Sequence, residues 1–227
     1  DTWVLAMLHD GLALKSAGAD KVTKALTKQG QSYNDPDFVK AANCIKELVD
    51  MGAFIDGATG LSNDEASASF YAEQVPMYFT GSWMGGSIVT DAEKPDNFAV
   101  APIPVVNSKN ASVTDFMGGG SDTLMVSANT KNKDLAAAAA FEITRGVSKH
   151  AYLSGAGIPA WTVDYDASSV PALTQQVADI AGKATSYTLW FDTLMSSDDA
   201  GEYLTLLQSL FAGDLKPEEF AASMDKQ

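Results

Sequence analysis

Apolar residues in this chain recur in blocks at helical spacing, each closed by glycine or proline, and short β-prone runs lie between the blocks. That alternation limits the fold more than any other feature, because a 3.6-residue period buries one face of a helix and short extended runs supply sheet. The first block carries Val4, Leu5, Leu8, Leu12 and Leu14 and closes over Ser16 to Asp20. The second follows Asn34-Asp35-Pro36, where Asp35 offers a capping oxygen and Pro36 a φ already set for a first helical turn. It runs through Phe38, Ala41, Ala42, Ile45, Leu48 and Val49 to Gly52. Ser62-Asn63-Asp64-Glu65 opens a third helix with a reciprocal cap. Further helices are expected from Trp83, over Lys133 to Arg145 with Asn132 as cap, over Val170 to Ala181, near 199–212 and near 216–225. Strands are expected at Val75–Thr80, at Phe98–Pro104 where prolines cut the run short, and at Thr123–Val126. The fold class is therefore α/β and rich in helix.

The charge balance narrows the partners. There are 29 acidic and 15 basic residues, a net charge of −14. Such a surface repels phosphate backbones and anionic membranes, so nucleic acid is not an expected partner. No apolar run approaches the roughly 20 residues that span a bilayer. Cys44 is the only cysteine, so no internal disulfide forms.

Catalytic and cofactor patterns do not emerge. Two histidines, His9 and His150, and one cysteine make no zinc cluster, and neither a metal nor a cofactor is expected. Both histidines read as ordinary helix-face residues. Gly118-Gly119-Gly120 is not a dinucleotide fingerprint, and no phosphate loop, calcium loop or nucleophile elbow is present. The expectation is binding without catalysis. The competing reading is a carbohydrate hydrolase using paired carboxylates such as Asp192 and Glu202, which would have to stand about 5–5.5 or 6.5–9.5 Å apart.

Several pieces fall in a telling order. Tyr33-Asn34-Asp35-Pro36 leads to a helix ending Glu47-Leu48-Val49-Asp50-Met51-Gly52. Phe70 to Trp83 follows, with Thr80-Gly81-Ser82-Trp83 at its end, and then Phe98-Ala99-Val100-Ala101-Pro102-Ile103-Pro104. The chain closes on Leu210-Phe211-Ala212-Gly213-Asp214-Leu215-Lys216-Pro217-Glu218-Glu219. This order resembles the extracellular solute-binding proteins of ABC sugar importers, the family that includes maltose-binding protein. Glu73-Gln74-Val75-Pro76 departs from the Gly-Lys-Ala-Ala usual there.

The resemblance implies the type II periplasmic-binding-protein fold, two α/β lobes joined by hinge strands with ligand between them. Since the chain opens in mid-helix at Asp1, it implies that the first lobe is missing. It assigns 1–101 to the C-terminal lobe, 102–164 to a hinge and a segment returning to the N-terminal lobe, and 165–227 to the C-terminal lobe again. Pro102 and Pro104 suit a hinge crossing. It also implies an oligosaccharide or other sugar as ligand, the transmembrane subunits of a permease as partner, and a bacterial location outside the cytoplasm, as a cell-surface lipoprotein or in the periplasm. Apolar surface left bare by the missing lobe makes self-association a further expectation. The same fold serves non-sugar solutes, and a scaffold that has lost transport is a weaker reading.

Sugar sites pair an aromatic face with a few polar groups. Trp83, after Gly81-Ser82, falls where the family stacks ligand, with a core tryptophan beside a tight turn as the other reading. Trp190 lies in an irregular stretch that the family brings to ligand, or else packs under the last helices. Asp192 then binds hydroxyls or caps the following turn. Trp3 faces the cleft or staples the first helix. Gly119 and Gly120, with Gly118, either let backbone N–H groups approach ligand or serve a bend. Trp161 resembles a segment lining the other lobe.

Overall fold

A computed structural model describes residues 1–226 of the 227-residue chain. The chain divides into two compact units. The first comprises 1–79, 101–119 and 183–227, and the second 80–100 and 120–182, so the chain passes from one to the other between Phe79 and Thr80, Val100 and Ala101, Gly119 and Gly120, and Gly182 and Lys183.

In the first unit, α1 (Thr2–Ala17) is the central helix. It is apolar nearly all round, as a helix covered on every side must be, and Leu12, Ala13, Leu14 and Ala17 are buried in it. α2 (Ala19–Leu26), α3 (Pro36–Asp50), α9 (Ser197–Ala212) and α10 (Pro217–Met224) enclose the same core. Val22, Phe38, Ile45, Tyr203, Leu207 and Phe220 meet there. The expected caps form. Asp35 accepts the Asp37 N–H at 2.9 Å, and Ser62 and Glu65 make the reciprocal cap of α4 (Asn63–Tyr71). The break after α1 is Gly18, at φ 84° and ψ 160°. A Cβ there would collide with the Asn110 carbonyl oxygen. α2, immediately beyond it, has no counterpart in the sequence reading.

The sheet is a parallel pair, β1 (Asp115–Met117) with β2 (Ser186–Thr188), in register Asp115–Ser186, Phe116–Tyr187 and Met117–Thr188. Hydrogen bonds from Thr185 N–H to Thr114 C=O (2.9 Å) and Gly118 N–H to Thr188 C=O (2.8 Å) prolong the ladder. Two short strands are marginal alone. These are braced from α1 by Lys15, whose side chain is wholly enclosed and whose ammonium donates to the carbonyls of Ser112 (2.8 Å), Val113 (3.0 Å) and Asp115 while lying 5.1 Å from the Phe116 ring centre.

In the second unit, α5 (Met84–Asp91), α6 (Lys133–Ser154) and α7 (Ala172–Ala181) form the helices. A small core holds Met84, Ile88, Val170 and Leu173. Gly85 permits close packing: a Cβ would come within 2.7 Å of the Gly155 carbonyl oxygen, to which the Thr174 hydroxyl donates at 3.3 Å. α6 runs past Arg145 to Ser154, where Gly155 at φ 85° ends it. No residue of α6 is buried, and Leu135, Phe141, Ile143 and Val147 stand exposed.

Three strand expectations are corrected. Val75–Thr80, Phe98–Pro104 and Thr123–Val126 are not strands, because no described residue bonds them into a ladder. Pro102 and Pro104 also remove two donors from the second run. Asn132 precedes α6 but makes no side-chain cap.

Candidate ligand-binding site

The register of β1 and β2 sets the site in the first unit. Gly119 and Trp190 each lie two residues past the last pair, Met117–Thr188, at the carboxyl end of both parallel strands. That end is where open α/β sheets hold ligands. Gly118 and Gly119 have φ of 125° and 79°, so the chain turns here through backbone that side chains rarely adopt. A Cβ on Gly119 would press to 3.0 Å from the Tyr187 Cβ. The half-exposed Tyr187 ring stands beside it, 6.2 Å from the Phe116 ring. Tyr187 belongs with the candidate residues and was missed, because nothing local marks a tyrosine as flanking a glycine 68 positions earlier.

Trp190 is half-buried and stands immediately before α8 (Phe191–Leu194). Its backbone is extended (φ −59°, ψ 150°), and its carbonyl accepts the Thr193 N–H at 3.1 Å. Asp192 is exposed in the first turn of α8. The capping role considered for Asp192 is corrected: Ser196 caps α9, accepting the Asp199 N–H at 3.2 Å. Behind Trp190 is a buried polar cluster that the sequence reading missed by treating His9 as an ordinary helix-face residue. Asp10 Oδ2 accepts the Phe191 N–H at 3.1 Å, Tyr203 donates its hydroxyl to Asp10 Oδ1 at 2.5 Å, and His9 Nδ1 lies 2.7 Å from the Tyr203 oxygen. With the tyrosine proton given to Asp10, His9 must donate from Nδ1, and its buried Nε2 has no hydrogen-bond partner among the described residues. Burial raises the Asp10 carboxyl above its ordinary range, against the lowering effect of His9, Tyr203 and the Phe191 N–H. Burial and the nearby Asp10 charge likewise raise the Tyr203 phenol.

Trp3 also belongs to the first unit, exposed in the first turn of α1. Trp83, Gly120 and Trp161 belong to the second. Trp83 precedes α5 and is 45% exposed, so the reading of it as a core tryptophan is set aside. Its ring folds back over Gly81, where a Cβ would overlap it. A side chain at 81 would therefore have to displace the exposed Trp83 ring. Trp161 meets Phe141 edge-on at 5.0 Å and borders a cavity of about 280 Å³ with Arg145, Lys149, Asp164 and Tyr165. Arg145 and Asp164 pair at 2.7 Å. A cavity of about 570 Å³ in the first unit lies between Lys28, Tyr33, Met195, Asp199 and Asp225 and includes none of the expected site residues. Among the described residues no group of three His, Cys, Asp or Glu side chains is placed to hold a metal, and no helix is long and apolar enough to cross a membrane.

The chain is helix-rich and α/β, passes repeatedly between two units, and carries aromatic residues at strand ends and helix starts. The chain belongs to the bacterial extracellular solute-binding protein family, whose model matches residues 1–141. It is similar, at 32% identity and a TM-score of 0.95, to a protein solved in work on xylan utilization by the thermophilic bacterium Caldanaerobius polysaccharolyticus; the match covers 100% of this chain and 58% of that one. A chitin oligosaccharide binding protein shares the fold at a TM-score of 0.87 and 23% identity, with 100% of this chain and 56% of that one covered. The chain thus spans a little over half the length of both. No curated protein matches it.

Proposed function

We propose that this chain is part of the substrate-binding component of an ABC importer, which captures an oligosaccharide outside the cytoplasm and delivers it to the permease. The observation carrying this reading is the placing of Gly119, Trp190 and Asp192 beyond the carboxyl ends of β1 and β2, in a chain of the solute-binding family. The partly exposed face of Trp190 takes the C–H face of a sugar ring, and Asp192 accepts from hydroxyls. Trp83, Trp161, Trp3 and Gly120 complete the proposed ligand set. The protein binds without turnover, either as a periplasmic protein or as a lipoprotein at the cell surface.

In the whole protein, 1–101 and 165–227 are assigned to the C-terminal lobe and 102–164 to the hinge and the N-terminal lobe, with ligand between lobes. The compact units of this chain taken alone follow other bounds, since 80–100 packs with 120–182. The bare apolar side chains of α6 support self-association of this chain by itself.

Calorimetric titration of the whole protein with xylo-, chito- and malto-oligosaccharides tests the reading. One series binds without being cleaved, and Trp83→Ala and Trp190→Ala each weaken binding by about 1–3 kcal/mol. The 227-residue chain alone binds no more tightly than about millimolar, roughly −4 kcal/mol. Absence of binding across the panel, or intact affinity in both variants, defeats the proposal.

A further inference from the structure

Asp10 is an expensive residue in its position. It is 2% exposed in the middle of α1, and among the described residues no lysine or arginine pairs with it. An apolar side chain of similar size would cost less to bury. What the carboxylate provides is an acceptor for the Phe191 N–H, at the start of a helix whose own capping position is Trp190, a residue with no side-chain acceptor to offer. The peptide unit between Trp190 and Phe191 is consequently held at both ends, its N–H by Asp10 and its C=O by the Thr193 N–H. Phe191 is clamped as well: its ring is fully buried, stacked on Tyr203 at 5.5 Å and met edge-on by His9 at 5.8 Å. Tyr203 and His9 are the two side chains that orient Asp10.

We propose that Asp10, oriented by Tyr203 and His9, is the positioning residue that fixes Trp190 in its ligand-facing place, so that this tryptophan meets sugar with only its side-chain torsions left to set. This rests on the reading that Trp190 contacts sugar. It goes beyond that reading by assigning the tryptophan's placement to a carboxylate some 180 positions earlier. Pre-organising a contact lowers the ordering cost of binding.

The test uses the whole protein carrying fluorotryptophan, with the Trp190 ¹⁹F signal assigned by Trp190→Phe. Asp10→Asn and Tyr203→Phe are compared, the latter keeping the stacked ring should the former fold poorly. Both variants shift or broaden the Trp190 signal, leave those of Trp3, Trp83 and Trp161 in place, and weaken the best oligosaccharide about tenfold. In a Trp190→Ala background the same substitutions cost affinity nothing further, as expected for residues acting through one another. An unchanged Trp190 signal in both variants overturns the proposal, as does a full affinity loss that persists without Trp190. If the wild-type protein binds no oligosaccharide, the sugar reading fails, and the Trp190 signal still decides whether Asp10 fixes that residue.

Discussion

The ammonium of Lys15 donates to the Ser112 carbonyl across 2.8 Å, joining the middle of the first unit to the segment that leads into β1. It serves Val113 and Asp115 at the same point, so one side chain satisfies three backbone acceptors. Lys15→Met would leave them without that donor. A stability loss of about 2–4 kcal/mol is expected, from the cost of unpaired buried polar groups. Lys15→Arg recovers little, since a planar fork does not reproduce a compact three-way donor. Urea denaturation followed by circular dichroism measures both, and a loss under about 0.5 kcal/mol for Lys15→Met, within the range of ordinary surface changes, contradicts this account of the strand pair.

Acid should weaken the first unit through Asp35, Asp37 and Asp115. Burial opposes ionisation of each, but hydrogen bonds outweigh it: the Asp37 N–H and Lys21 for Asp35, Lys21 and Asn107 for Asp37, and the Ser112 N–H and Ser186 for Asp115. All three carboxyls titrate below 3.8 in the folded chain. Their stabilisation is complete above that value and lost as pH falls through the folded pKa values. Asp10 has the opposite sign. Its folded pKa lies above 3.8, so its contribution is present below that pH and fades as pH rises through the folded value. Melting temperature followed from pH 7 to pH 2 should fall more gently at the acid end in Lys21→Met, while Asp10→Asn should remove a decline on the rising side. Identical profiles for wild type and Lys21→Met would refute the Asp35 and Asp37 assignment.

Two glycines with similar φ should respond differently to alanine. Gly18 at φ 84° faces the Asn110 carbonyl, whereas Gly30 at φ 80° has open space. Gly30→Ala carries backbone strain alone, about 1–2 kcal/mol. Gly18→Ala adds a collision to a backbone region that belongs almost solely to glycine, and should exceed about 3 kcal/mol. Equal losses in thermal denaturation would show that the chain near Asn110 yields.

The exposed apolar side chains of α6 should make this chain associate. Sedimentation over a concentration series is expected to show growing species, and Leu135→Gln with Val147→Gln should return the chain toward monomer. A monomer at every concentration would remove the case for self-association through α6.

Several helix starts and stops were legible because their causes are local: Asp35-Pro36, Ser62 with Glu65, and Gly213 act within one turn, whereas α6 was expected to stop at Arg145 and runs on to Gly155. The strands were not. β1 and β2 are three residues each and pair across some 70 positions, so no periodicity marks them, whereas the longer β-prone runs at 75–80 and 123–126 find no ladder partner among the described residues. Of the candidate site, a part was legible. Trp190 and Gly119 stood out as an aromatic in an irregular stretch and a glycine cluster. Tyr187 and the cluster of His9, Asp10 and Tyr203 did not, since the His9–Tyr203 hydrogen bond spans 194 positions.

The first unit is assembled from three separate stretches, and its core is closed by residues as late as Phe220 and Met224. A ribosome making this chain therefore exposes α1 and α3, with their faces of leucine, alanine and isoleucine, long before α9 and α10 emerge to cover them. At about 5–20 residues per second the interval lasts roughly 10–40 s, a period in which unshielded apolar surface invites aggregation. Emergence of α10 is the event that ends this exposure, since Phe220 and Met224 join the core from that helix.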